Sequence, residues 1–479
     1  MKKGLTNQSI NSLIYLYIGL PVLIFMIGWI KWWISVPVSL IILYSFYTAV
    51  RKNSPACLKH RKSDKKTLLA ALVLICIWVV FSGIGGFLHQ NSDHAYRNTI
   101  YQLLVNENWP VQREVLTEAG TQTRLLSYYI GFWLPSAIFG KIFGLTAGFV
   151  FQFIWAVLGL SLIYLKISQR LGRYSIFPLL IFILFSGLDA AGFFVTGKNL
   201  FSYGITFHLE WWLSFNYQFS SHTTMLFWVF NQAIYGWLLT LLILGEEDNR
   251  HAVLIWSCGL LTCTIPFVGM LPFLCYKIIV NYRKEAKSTS PKKALLQLFS
   301  VENVLGGGAI GIISFIYLKN NASAGRVSSS QGLTLAEVGN IALFLLIEAG
   351  IYYILVFKDH KRNPLYYISL TMLIICPFVR INGGNDFCMR ASMPSLLVLC
   401  LFVTESLFAT YKKEKIRFVA LLLAFLIGCV TPAHEFIRTI KDTRESGTQM
   451  VFVDEQNVFS EPNFSSNTKD NLFIKHLSK

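Results

Sequence analysis

His89-Gln-Asn-Ser-Asp-His-Ala-Tyr-Arg-Asn-Thr-Ile-Tyr-Gln-Leu-Leu, residues 89–104, is the first long polar interruption in a chain otherwise written for lipid. It follows directly on an apolar run, 67–88, that ends in Gly83-Ile-Gly-Gly and Phe87-Leu. An unpaired charge inside the hydrocarbon is costly, so a carboxylate this close to the end of an apolar run belongs just outside the membrane surface. Asp93 is therefore the expected functional centre, placed for chemistry on a lipid-borne substrate. The stretch goes on through Asn108-Trp-Pro-Val and Leu126-Ser-Tyr-Tyr-Ile-Gly-Phe-Trp-Leu-Pro to Gly144. That aromatic-rich, Pro-broken text predicts helices lying in the interface rather than a spanning helix.

Of the 479 residues, 54% are hydrophobic and 14% charged, and the mean hydropathy is +0.51. The apolar runs reach the roughly 20 residues that a spanning helix needs. A formal charge of +17 would point to nucleic acid in a soluble protein, but here the basic residues sit in short clusters between apolar runs. Topology accounts for them, and no nucleic-acid partner is expected. The nine cysteines show no metal-ligand or disulfide spacing, and most, such as Cys76, Cys258 and Cys376, read as small apolar residues within apolar runs.

Working outward, apolar runs place spans near 11–30, 33–50, 67–88, 145–165, 175–195 and 223–244, and a shorter hairpin with legs near 252–264 and 268–281. Further spans lie near 302–318, 338–357 and 365–379; a twelfth ends at Lys412-Lys-Glu-Lys-Ile-Arg417 and a thirteenth follows it. The expected fold is all-α, a polytopic transmembrane helix bundle of about thirteen spans. The strongly basic connections, from Arg51 to Lys66, at Gln169-Arg-Leu-Gly-Arg173, at Arg283-Lys-Glu-Ala-Lys, at Lys358-Asp-His-Lys-Arg and at Lys412, all fall on one side. That side is the cytoplasm by the positive-inside rule, which puts the N-terminus inside and the C-terminus outside a cell membrane. The transmembrane domain is expected over 1–435, with external loops at 89–144, 196–221, 319–335 and 380–392. The polar segment 436–479 has too little apolar text for a core and should form an external tail of short elements packed on the outer face.

The external ends also carry Ser186-Gly-Leu-Asp189, His208-Leu-Glu-Trp-Trp212, Asn385-Asp-Phe-Cys-Met-Arg390 and Pro432-Ala-His-Glu435. Carboxylates near lipid need partners or a water-filled space, so Asp93, Asp189, Glu210, Asp386 and Glu435 are expected to share one polar cavity. Plainer readings stand beside this. Ser92 or Asp93 suits an N-cap, Asp93 with Arg97 suits a helix pair, Glu210 suits an anchor for a Trp-rich interfacial helix, and Asp386 with Arg390 suits an ion pair in the turn at Gly383-Gly384. His94, His208, His222 and His434 lack a metal-ligand spacing, so no metal site is expected. The cytoplasmic loops are short and basic while the external ones are long and rich in Trp, Tyr, His, Asn and carboxylates, which places function outside.

This layout resembles the GT-C superfamily of polytopic glycosyltransferases, which use polyprenyl-phosphate-linked sugars at the outer membrane face. There an acidic residue lies early in the first large external loop, directly after a span, and the loop carries interfacial helices; Asp93 and 95–144 hold those places. The resemblance covers roughly 67–280 in layout. It departs in having two extra spans before the acidic loop, which usually follows the first span, and in having Asp93-His94 where paired acids are common. It implies an inverting enzyme that transfers a sugar from a polyprenyl-phosphate donor to an envelope glycan or other acceptor, with Asp93 as the base.

On that reading Arg97, Arg380 and Arg390 would receive the leaving phosphate, since guanidinium donors match phosphate oxygens in pairs. Trp109, Trp211 and Trp212 would offer faces for a sugar ring. His94, Asp189, His208, Glu210 and Asp386 complete the substrate-binding set. No resident cofactor is required, although a divalent cation bridging Asp93 to phosphate is compatible with the chemistry. Membrane lipid, a lipid-linked sugar and an envelope acceptor are the implied partners, in a bacterial cell. The rival class is a transporter or flippase, suited by carboxylates at membrane depth and by Gly- and Pro-interrupted spans such as Pro266 to Pro272.

Overall fold

The structure, a computed structural model, describes residues 7–51, 64–117, 120–319, 321, 327–329, 334–381, 384–469 and 471–479. Most of the basic connection after residue 51, most of the loop 319–335, and Gly383 therefore lie outside the described residues. In chain order the helices are α1 (Asn7–Trp29), α2 (Trp32–Arg51), α3 (Asp64–Phe81), α4 (Ser92–Asn106), α5 (Leu134–Phe143), α6 (Leu145–Leu171), α7 (Ile176–Leu184), α8 (Asp189–Val195), α9 (His222–Gly245), α10 (Ala252–Thr262) and α11 (Thr264–Ser288). They continue with α12 (Pro291–Leu298), α13 (Gly308–Lys319), α14 (Leu335–Leu345), α15 (Ile351–His360), α16 (Pro364–Ile375), α17 (Asp386–Ala391), α18 (Met393–Thr410), α19 (Lys415–Gly428), α20 (Val430–Ser446) and α21 (Glu455–Ser460).

Among the described residues nine helices are long and apolar enough to cross a membrane, and a tenth span is formed if the pair α7 and α8, bent by 41°, counts as one. This marks the chain as a multi-pass membrane protein. Each of the thirteen expected segments contains helix; the three outside that count are α3, which begins Asp64-Lys-Lys, and the shorter α10 and α16. Two long spans are joined through π-helical turns, Glu302–Gly307 between α12 and α13 and Leu346–Gly350 between α14 and α15.

Burial sets the arrangement. The spans of α9 and α18 are 94% and 83% buried and form the centre of the bundle, whereas those of α2 and α11 are 33% buried. The outer helices turn residues such as Leu16, Leu40, Leu69 and Ile154 outward. In water such a surface would aggregate, and in a bilayer it is the lipid-facing side.

Local sequence fixes the helix starts. Ser175 caps α7 through Phe177 N, Ser221 caps α9 through Thr224 N, and Ser290 caps α12, whose first residue is Pro291. Asn91, rather than Ser92 or Asp93, caps α4, its side chain accepting from Asp93 N at 3.2 Å. The link from α3 to α4 turns at Gly83, Gly85 and Gly86 with φ of +80°, +86° and +76°, a region that side chains with a Cβ rarely adopt.

The first loop corrects an expectation. Between α4 and α5 it holds an antiparallel hairpin, β1 (Gln112–Thr117) and β2 (Gly120–Leu126), beside its helices. A third strand, Ser465–Asn467, comes from the C-terminal segment and pairs with β2 at Leu126↔Ser465. The same segment is tied to α4, since Asn98 Nδ2 donates to Val451 O at 2.9 Å and Thr99 Oγ1 to Val453 O at 3.0 Å. The expected boundary at 435 falls inside a helix, since α20 runs from Val430 to Ser446.

Candidate functional site

Two helices far apart in the chain meet at one cavity. Asp93 and Arg97 from α4, Asp386 and Arg390 from α17, and Tyr128 and Tyr129 from the turn after β2 line a space of about 240 Å³, closed on one side by Phe464 of the C-terminal segment. Each helix supplies an i,i+4 ion pair: Arg97 Nη2 to Asp93 Oδ2 at 2.8 Å and Arg390 Nη2 to Asp386 Oδ1 at 3.1 Å. Both carboxylates are over 40% exposed while Arg97 and Arg390 are 6% and 14% exposed. The acids face the opening and the guanidinium groups form the wall.

The wall is polar and only partly satisfied. Arg390 Nη1 donates to the Tyr129 hydroxyl at 3.0 Å, and the Arg97 guanidinium lies 5.4 Å from the Phe230 ring centre. Arg97 Nη1 and Arg390 Nε are buried with no hydrogen-bond partner. Burial alone would lower the Arg390 pKa, but Asp386, the two tyrosines and Asp93 hold it above the ordinary arginine value. Burial, with Tyr129 beside it, pushes Tyr128 well above its usual value, so its O–H stays a donor. Two arginines in the wall of a solvent-open cavity suit an oxyanion such as a phosphate.

The other sequence-predicted residues lie elsewhere. His94 points into the core with its Nδ1 3.0 Å from Asn91 Oδ1, and burial, followed by Arg97 and His89, holds its pKa well below 6.5. Arg380 lies in the strand Val379–Ile381, whose Ile381 reaches the cavity wall. Trp109 packs on Trp29 with ring centres 4.5 Å apart and donates to Leu104 O, so its ring serves packing and offers no face to the cavity. Among the described residues no group of three His, Cys, Asp or Glu side chains is arranged to hold a metal ion.

The expected single acidic cavity resolves into three places. Asp93 and Asp386 share the first. Glu435 lines a second cavity with Arg438 and Trp228, and His208 packs against Trp228 and Trp211. Asp189 and Glu210 are buried in the interior, because each has found internal donors that replace water.

Glu210 accepts from Gln218 Nε2 at 2.6 Å, Ser220 Oγ at 2.8 Å and Ser221 N at 2.8 Å. Gln218 in turn accepts from Trp211 Nε1 and from Asn385 Nδ2, at 2.9 and 2.6 Å. Through Gln218, Glu210 therefore holds the residue that precedes α17. Burial, then Asp189 and Glu435, push the Glu210 pKa from 4.5 to about 8. An acid with a raised folded pKa binds its proton more tightly in the folded state, so its contribution to stability is full below pH 4.5 and is lost as pH rises through about 8. The thermal midpoint is expected to fall over that window, and Glu210→Gln to flatten the fall; equal slopes in the two proteins would refute the assignment.

Asp189 stands where α7 and α8 break. Its Oδ2 accepts from Ser186 Oγ at 3.0 Å and Thr431 Oγ1 at 2.6 Å, and its carboxyl group meets that of Glu348. Glu348, within the π-helical turn, accepts from Trp212 Nε1 at 2.6 Å. Asp189 Oδ1 and Glu348 Oε2 have no hydrogen-bond donor among the described residues. Gly187 makes room for this pair, since a Cβ there would lie 1.7 Å from Glu348 Oε2. Gly187→Ala is expected to destabilise the protein by about 1–3 kcal/mol through overpacking, read as a lowered unfolding midpoint; an unchanged midpoint would show that the pair moves freely.

Sequence reasoning missed Glu348, Arg438, Tyr128 and Tyr129. A lone Glu inside the apolar run 338–357 was a usable signal for the first, and the Glu435-Phe-Ile-Arg438 spacing for the second. No protein-family model, curated protein or solved structure matches the chain.

Proposed function

We propose that the chain is a membrane glycosyltransferase of the GT-C kind, moving a sugar from a polyprenyl-phosphate donor to a glycan or other acceptor at the outer face of a bacterial cell membrane. The observation that carries this reading is the convergence of Asp93, Arg97, Asp386 and Arg390 on one cavity. The acceptor oxygen forms its bond to the anomeric carbon as the bond from that carbon to the phosphate oxygen breaks. Asp93 takes the acceptor proton, and the leaving polyprenyl phosphate is held by the guanidinium groups of Arg97 and Arg390 that line the cavity. Tyr129 keeps the Arg390 fork oriented, and Asp386 holds the same guanidinium from the other side.

The test is release of polyprenyl phosphate from labelled polyprenyl-phosphate sugars by the purified protein in lipid, with an extract of envelope acceptors. Release that depends on both donor and acceptor supports the reading. No release with any donor removes it.

A second reading, proton-coupled movement of a lipid-linked or small polar solute, is favoured by one observation. The Asp189–Glu348 pair joins a broken span to a π-helical turn, and two carboxyl groups at such a place suit a coupling site.

A further inference from the structure

The second cavity, of about 250 Å³, opens beside the first turn of α4. Asn91 and Ser92 line it and Asp93 lines the other, so the two spaces flank a single turn of helix. Its far wall is α20, which contributes Glu435, Arg438 and Asp442, and Trp228 of α9 completes it. Glu435 and Arg438 form an ion pair at 4% and 8% exposure. Trp228 Nε1 donates to Glu435 Oε2 at 3.0 Å, and the Arg438 guanidinium lies 5.2 Å from the Trp228 ring centre while Nη1 reaches Thr206 O at 3.4 Å.

A buried ion pair is weak as a stabilising device, because desolvation offsets most of its attraction. Here it holds a carboxylate and a guanidinium rigid at the wall of a cavity, beside the Asn91 amide and the Ser92 hydroxyl. Flat, oriented polar groups of both donor and acceptor type, set beside an indole, match the hydroxyl pairs and C–H face of a sugar ring. The charge argues against phosphate in this space. Glu435 and Asp442 outweigh Arg438, and Arg438 is already neutralised by Glu435.

We propose that this second cavity is a subsite for one neutral or amino-substituted sugar ring, and that the ring belongs to the acceptor. Glu435, Arg438 and Asp442 take its hydroxyl or amino groups, Trp228 supports it, and the acceptor chain passes the first turn of α4 toward Asp93. The assignment of the ring to an acceptor rests on the transferase reading; the sugar subsite itself does not.

The experiment measures binding of methyl glycosides of glucose, galactose, N-acetylglucosamine and galactosamine to the full-length protein in nanodiscs, by saturation-transfer NMR with competition by inorganic phosphate. At least one glycoside is expected to bind the wild type in the millimolar range and to resist phosphate. Asp442→Arg, at a half-buried position, and Glu435→Gln are each expected to weaken it about ten-fold, the loss of one charge-assisted hydrogen bond. Lys441→Ala, on the exposed side of the same helix, leaves it unchanged.

No binding of any of the four glycosides, binding indifferent to both cavity variants, or displacement by phosphate would each overturn the subsite. Release of polyprenyl phosphate by the wild type, measured in parallel, separates the two ideas. Release without glycoside binding removes the subsite and leaves the transferase, whereas variant-sensitive binding without release leaves a sugar site and removes the transferase.

Discussion

Asp93→Asn protein in lipid is expected to release polyprenyl phosphate from a labelled donor roughly 10²- to 10⁴-fold more slowly than wild type, the range associated with removal of a general base. The substitution is chosen for what it preserves. Asn keeps an oxygen that accepts from Arg97 Nη2, now 2.8 Å from Asp93 Oδ2, and Asn91 continues to cap α4 through the backbone N–H of residue 93. Arg97 is 6% exposed, so Asp93→Ala would strand a buried guanidinium and confound loss of chemistry with loss of fold. Donor binding should persist in the Asn variant, because the phosphate is assigned to Arg97 and Arg390. A slow variant with intact donor affinity and an unchanged unfolding midpoint places the base. Full activity in Asp93→Asn would sink that assignment and turn attention to Asp386, the other carboxylate at the opening.

How much of this was legible in the sequence follows from the range of the interactions involved. Helical segments were legible because the length and polarity of an apolar run are local properties, and every expected segment contains helix, nine or ten of them among the described residues being long and apolar enough to cross a membrane. The two ion pairs were legible for the same reason, as Asp93 with Arg97 and Asp386 with Arg390 each lie one helical turn apart. That Asp93 and Asp386 share a cavity was legible from their common outer side, but not that Asp189, Glu210 and Glu435 lie outside it, since no periodicity tells which distant residues meet. The hairpin in the first loop was hidden for a related reason. Its third strand pairs Leu126 with Ser465, and that pairing gives the short β1 and β2 a structural context their own text does not reveal. Composition drew Trp109 toward a sugar when its ring in fact packs on Trp29, because an aromatic residue near an interface reads alike whether it packs, anchors or binds.

The largest stability effect is expected at the carboxyl pair inside the bundle. Glu348→Ala should cost about 1–3 kcal/mol for each buried polar group it leaves unpaired, and Glu348→Gln should cost far less. The contrast follows from atom roles. Glu348 Oε1 accepts from Trp212 Nε1 at 2.6 Å, which a glutamine oxygen does equally well. The other oxygen lies beside the Asp189 carboxyl group, where a glutamine N–H would donate directly to an oxygen that has no donor. Alanine supplies neither and leaves Asp189 Oδ1 and the buried Trp212 indole N–H without the partners that Glu348 or Gln provides. Unfolding midpoints of the three proteins in one detergent decide this, and equal losses for Gln and Ala would mean that the hydrogen bonds at residue 348 do not set the cost.

The same Gln variant then separates the two functional readings. It fixes a neutral donor where a proton would have to come and go, so proton-coupled movement of a solute would stop in a protein of near-normal stability. A transferase whose chemistry sits at Asp93 would continue to release polyprenyl phosphate. Solute movement that stops in a stable Glu348→Gln protein, with no release of polyprenyl phosphate by the wild type, would therefore count against the transferase and in favour of transport.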